Sequence, residues 1–354
     1  MKSSGRTLLV FLIPVFISAC GPVPLQRLGG YQCIPCTDQA KPANNSPTAV
    51  TLAGSDWLYQ LQGAEPTDIE TTNFDIAVID YSRDGEEAGR YSAGEMTTLK
   101  NGSTTRQVLA YLSIGEAEEY RFYFESGWVS FIERQPDSSA PCWLARTNPD
   151  WEGNYKVQYW SEDWQQIVLA YLDKIIGDGF DGVYLDIIDA FEYWSDRKNG
   201  EGYYISEREA AVRMINFVKR IAYHAREIRG KTDFLVIPQN GERLLIYDSG
   251  IDYLAEDDYL NTISGIGVED LYYDGTTPVS PSVTAERQNL INDIRNAGKK
   301  VLVVDYVDRG SRPVTSASLA TVFRTIAKAD GYLPYAARED RELDEINWFN
   351  GQPP

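Results

Sequence analysis

The sequence predicts a (β/α)8 barrel of the TIM type, folded as a single domain. Three observations predict it. Eight short segments rich in β-branched and aromatic residues recur between Asp56 and Ala336, and they are near-continuous apolar runs, not alternating ones. Such runs suit parallel strands buried on both faces. Amphipathic helical patterns separate several of them, as crossovers between parallel strands require. Acidic residues then collect at the C-terminal ends of the runs, where barrels of this type carry their sites. An open doubly wound sheet is the alternative. No G-x-G-x-x-G follows an early strand, so a dinucleotide site is not supported.

The strands are expected at Asp56–Gln62, Phe74–Tyr81, Gln107–Ile114, Gly182–Asp186, Phe234–Pro238, Asp252–Glu256, Lys300–Tyr306 and Gly331–Ala336. Helices are expected at Ser161–Gly177, from a capping box at Ser206–Glu209 towards Ile228, at Ala285–Ala297 with Gly298 as terminator, and at Ser316–Ala329. The crossover 115–181 is long and holds several Trp; an insertion of this kind above a barrel mouth often shapes a substrate groove, and the alternative reading is packing alone.

The chain has 354 residues, enough for one large barrel or two ordinary domains. Its 43% hydrophobic and 12% aromatic residues exclude a disordered or fibrous chain. A formal charge of −19 argues against a nucleic-acid partner and permits a cationic one. His224 is the one histidine. It falls inside a helical pattern, so neither a Ser-His-Asp triad nor a His-rich zinc site is expected. No cofactor is expected.

The N-terminus reads as an export signal. Lys2 and Arg6 precede the apolar run Thr7–Ile17, which is too short to span a bilayer. Ile17-Ser18-Ala19-Cys20 resembles the lipobox of bacterial lipoproteins, which implies cleavage before Cys20 and lipidation of its thiol. Removing 1–19 would shift the formal charge from −19 to −21. Gly21, not Asp, follows the cysteine, so the outer membrane or cell surface is favoured over the inner membrane. Residues 20–52 are Pro/Asn/Ser-rich and read as a tether, leaving 53–354 for the barrel. Cys33 and Cys36 in the tether are a candidate disulfide in an oxidising compartment. Cys142 is left over, as a buried or loosely structural thiol.

At the strand ends stand Asp80, Glu116, Asp186 with Asp189, Asn240 with Glu242, Glu256 to Asp258, Asp305 and Arg338. Two carboxylates across a sugar are what glycoside hydrolysis needs: one protonates the leaving oxygen, the other attacks carbon or activates water. Neither role needs histidine or metal.

Four stretches, Gly179–Trp194 (GFDGVYLDIIDAFEYW), Val108–Arg121, Ile237–Glu242 and Val157–Trp160, resemble the endo-α-1,4-polygalactosaminidase family, glycoside hydrolase family 114. They are most similar to its bacterial and archaeal branch, and the similarity runs from about Trp57 to Arg338. The resemblance implies the barrel fold, endo-hydrolysis of α-1,4-linked galactosamine, and a cationic polysaccharide as partner. It implies a catalytic pair at Asp186 and Glu256, with Glu242 as rival for the second place. Asp80, Tyr111, Glu116, Asp189, Asn240, Glu242, Asp305 and Arg338 are candidate substrate contacts or groups behind them. Asp80, Asp189 and Asp305 also have the simpler reading of loop caps or partners of Arg338. A monomer touching the membrane through its lipid alone is expected. The competing functions are a non-catalytic polysaccharide-binding lipoprotein and a hydrolase holding Mg²⁺ or Ca²⁺ on Asp186, Asp189, Glu256 and Asp257.

Overall fold

A computed structural model of the chain describes residues 50–101, 106–130, 132–248, 258–310, 315 and 318–347. Eight parallel strands form its centre: β1 Trp57–Gln60, β2 Ile76–Ile79, β3 Gln107–Ser113, β4 Gly182–Asp186, β5 Leu235–Pro238, β6 Gly265–Glu269, β7 Lys300–Asp308 and β8 Leu333–Arg338. β1 to β5 pair in sequence order, as do β6 to β8. Two seams close the ring. Ser264 N donates to Val236 O and Asn240 N to Gly267 O, each at 2.8 Å, between β5 and β6. Trp57 Nε1 donates to Leu333 O at 2.9 Å between β1 and β8.

Nearly all the strand residues are buried, as continuous apolar runs demand. The interior is filled by aromatic rings. Tyr59 stands 5.5 Å from Trp57 and 5.4 Å from Tyr184 between ring centres, and Trp57 packs 5.6 Å from Tyr335. β6 makes room for them. A Cβ on Gly267 would lie 1.9 Å from the Tyr184 hydroxyl, so only glycine fits there.

The expected strands coincide with the observed ones at seven positions. The sixth differs. Asp252–Glu256 lies outside the described residues, and the sixth place in the barrel belongs to Gly265–Glu269. Its two glycines weaken the apolar signal that marks the other strands.

Helices α1 Pro66–Glu70, α2 Ala93–Lys100, α3 Glu162–Asp178, α4 Ala190–Ser195, α5 Glu207–Tyr223, α6 Leu245–Asp248, α7 Asp258–Thr262, α8 Pro281–Asn296 and α9 Leu319–Ala329 fill the connections. Trp164, Val168, Tyr171, Leu172, Ile175 and Ile176 put the apolar stripe of α3 against the barrel. Gly179 ends α3 at φ +93°, in the left-handed conformation that glycine adopts without strain. At α5, Ser206 Oγ accepts from Glu209 N at 3.2 Å. His224, just past α5, meets Asp173 of α3 at 2.7 Å on the outer layer.

The excursion between β3 and α3 forms a three-stranded antiparallel sheet of Glu116–Glu118, Asn154–Val157 and Leu144–Thr147. Most of its tryptophans serve packing: Trp143 lies 5.2 Å from Trp128 and 4.9 Å from Trp164. Cys142 is exposed here, not buried. Among the described residues no helix is long and apolar enough to cross a membrane.

Candidate active site

The C-terminal strand ends open into a cleft of about 770 Å³, lined in part by Asp80, Tyr111, Asp186, Asp189, Asn240, Glu269 and Tyr306. Asp186 ends β4 and Glu269 ends β6, so both carboxylates come from the rigid barrel rim. Asp186 accepts from Tyr111 Oη at 2.6 Å and from the Ile187 amide at 2.8 Å. Burial first, then the negative charge of Glu269, push the Asp186 pKa well above the usual carboxylate range, against those two hydrogen bonds. Glu269 accepts from Tyr306 Oη at 2.5 Å and from Asn240 Nδ2 at 3.4 Å. Burial and the charge of Glu269 raise the Tyr306 pKa too, so the phenol keeps its proton and donates it. Arg341 lies over the Tyr306 ring at 4.2 Å and pairs with Asp270 at 2.9 Å.

Backbone strain gathers at this rim. Ile187, Asn240, Asp270, Arg341 and Leu343 have φ between +49° and +64°, and all five line the cleft or the hollow beside it. For a β-branched residue such as Ile187 that conformation is unfavourable. It is tolerated where it turns an amide towards Asp186.

The other expected residues divide. Asp189 lies open to the cleft yet is hemmed in by protein. That burial, then the charge of Glu192, raises its pKa to about 6. Asp80 faces the cleft but is paired with buried Arg121 at 2.7 Å, and Arg121 also bonds Glu118 at 2.7 Å. Asn240 uses its amide to hold Glu269, accepting from the Glu269 N–H at 2.9 Å. Glu242 belongs to a neighbouring hollow of about 620 Å³ and is bound to Arg287 at 2.5 Å, so its carboxylate is engaged away from Asp186.

Three residues are not brought to the cleft wall. Glu116 is fully buried against Lys156 and Asn148. Asp305 accepts the amides of Leu271, Tyr272 and Tyr273 at 2.9–3.0 Å, which fastens the loop after β6. Arg338 turns outward to Glu345 at 3.3 Å, so it partners none of Asp80, Asp189 or Asp305. Glu256 and Asp257 lie outside the described residues, as do Cys20, Cys33 and Cys36. Glu269, Tyr306 and Arg341 carry the site without having been singled out. The available signal for Glu269 was an acid ending a β-branched run just before a loop, in Gly-Ile-Gly-Val-Glu-Asp.

Known proteins resemble this chain closely. An uncharacterized protein of Thermotoga maritima is 45% identical over 299 residues, covering 84% of this chain and 85% of that one. One of Methanocaldococcus jannaschii is 44% identical over 296 residues, covering 83% and 78%. Among solved structures, the glycoside hydrolase domain of PelA from Pseudomonas aeruginosa shares the fold at TM-score 0.57 and 17% identity, over 83% of this chain and 97% of that one. Aspergillus fumigatus Ega3 in complex with galactosamine does so at TM-score 0.54 and 16% identity, over 84% and 95%. The model of glycoside-hydrolase family GH114 matches residues 37–352, spanning the whole barrel and both of its rim carboxylates, and the chain is therefore a member of that family of glycosidases.

Proposed function

We propose that the protein is an endo-acting glycosidase that cuts α-1,4-linked galactosamine-containing polysaccharide with Asp186 and Glu269 as its two carboxylates. The observation that carries this reading is the pair itself. Two acids end barrel strands on one cleft, each braced by a tyrosine hydroxyl, and burial together with the nearby Glu269 pushes the Asp186 pKa upward. A proton donor and an ionised partner facing one space are the requirement for glycoside hydrolysis. Glu269 thus takes the place that the family resemblance assigned to Glu256.

Endo action is supported by the run of the cleft. The hollow around Glu242 and Arg287 shares Asp189, Asn240 and Glu269 with the main cleft, so space continues on both sides of the pair. A polymer can cross the carboxylates without ending there. A cationic sugar suits the carboxylates of Asp84, Asp189 and Glu286 that border this path, and galactosamine is the sugar held in the Ega3 structure. The reading includes export by residues 1–19, a lipid on Cys20, and action as a monomer outside the cytoplasm.

The test is incubation with galactosamine-rich and other amino-sugar polymers, followed by mass analysis of the products. Internal cleavage of the galactosamine polymer is expected, giving oligomers first. Intact polymers after incubation would reject the substrate. In membrane fractions of the native host, Cys20→Ala should release the protein; retention would reject the lipid anchor.

A further inference from the structure

The cleft extends from the two carboxylates to a wall on the excursion between β3 and α3. Trp151 and Tyr120 stand there, 54% and 44% exposed, although Trp128 and Trp143 of the same excursion are buried. Trp151 occupies the turn between the strands Leu144–Thr147 and Asn154–Val157. Asn154 N donates to its carbonyl at 3.2 Å, and Gly153 beside it takes φ +90°. Tyr120 is fixed from several sides. Its hydroxyl donates to Glu118 at 2.8 Å, and the Arg121 guanidinium lies 4.6 Å from its ring centre. A Cβ on Gly85 would come within 2.5 Å of its ring edge, so Gly85 packs directly against it. The exposed indole, and the part of the held ring left open beside it, offer apolar surface on the cleft wall.

Asp84 lines the same cleft. It is exposed, accepts from Glu86 N at 3.0 Å, and has no cationic partner among the described residues. Neighbouring Arg83 is already paired with Glu65 and Glu95. The wall therefore presents aromatic surface together with an unneutralised carboxylate.

We propose that Trp151, Tyr120 and Asp84 form a distal subsite that holds a further hexosamine ring of the same polymer. The indole packs on the apolar face of the ring, and Asp84 receives its ammonium group. The proposal rests on the amino-sugar reading above. The occupant follows from continuity: this wall, Asp186 and Glu269 border one cavity. A chain crossing the carboxylates and following that cavity meets the indole.

The full chain carrying Asp186→Asn should bind oligomers without cutting them, so affinity can be measured directly. Short and long α-1,4-linked galactosamine oligomers are titrated into Asp186→Asn and into Asp186→Asn/Trp151→Ala. Long oligomers should bind the first more tightly than short ones, and Trp151→Ala should shrink that advantage about fivefold. Trp151→Phe should keep most of it, and Asp84→Asn should reduce the preference for free-amine over N-acetylated oligomers. Matching melting temperatures confirm folding of these surface variants. The same chain-length advantage with and without Trp151 overturns the subsite, even if the wild type cleaves the polymer. Trp151-dependent binding without any wild-type cleavage overturns the catalytic reading and leaves the subsite standing. Oligomers that do not bind at all overturn both.

Discussion

At the residue scale the site turns on how two acids share one space. Asp186 and Glu269 each accept a phenolic hydrogen bond, yet burial and the charge of its partner hold Asp186 towards its protonated form. Two consequences can be measured. Either Glu269→Gln or Asp186→Asn should lower kcat on the cleaved polymer about a thousandfold, because a positioned acid or base contributes roughly 10²–10⁴-fold. Removing the negative charge of Glu269 should also move the Asp186 titration to lower pH in the Glu269→Gln variant, read by NMR of the labelled carboxyl. An unchanged titration would show that burial alone sets it. Asp186 stood out in the sequence because it ends an apolar run inside a specific motif. Glu269 did not, because its strand carries two glycines, Gly267 against the Tyr184 ring and Gly265 against the Lys300 carbonyl.

At the element scale, acids at strand ends have two different uses. Asp186 and Glu269 point into the cleft, whereas Asp305 at β7 turns sideways to bind three consecutive amides of the loop that follows Glu269. Sequence position cannot separate these uses, since both place an acid at the end of a buried run. Asp305→Ala should leave the three buried amides of Leu271, Tyr272 and Tyr273 without acceptors. We expect a stability loss of about 3 kcal/mol in denaturant titration, the lower end of the sum for three unsatisfied amides. Hydrogen exchange should quicken at those same amides; equal protection there would remove the assigned role. The long excursion repeats the lesson. Its tryptophans signalled an insertion, but packing consumes Trp128 and Trp143 while Trp151 reaches the cleft.

At the scale of the whole molecule, the barrel gathers acids at its mouth at some cost in stability. Asp189 is raised to about 6 in the folded chain, above its ordinary value. A carboxyl raised on folding favours the fold fully below its unfolded pKa, and that favour is lost as pH rises through the folded value. Asp189→Asn should therefore raise the melting temperature above pH 6, by about 1–3 °C, and lose its advantage below about pH 4. Melting curves across that window check the sign, and a gain present only at low pH would contradict it. The sequence by itself determined the strand rhythm, seven of the eight barrel strands and the strand-end position of Asp186, because apolar runs and helical periodicity are local properties of the chain. Only the tertiary structure decided the sixth strand, the meeting of Glu269 and Tyr306 beside Asp186, and which of the described strand-end acids face the cleft. Those depend on rings and carboxylates distant in sequence meeting in the barrel, and one-dimensional spacing carries no record of that.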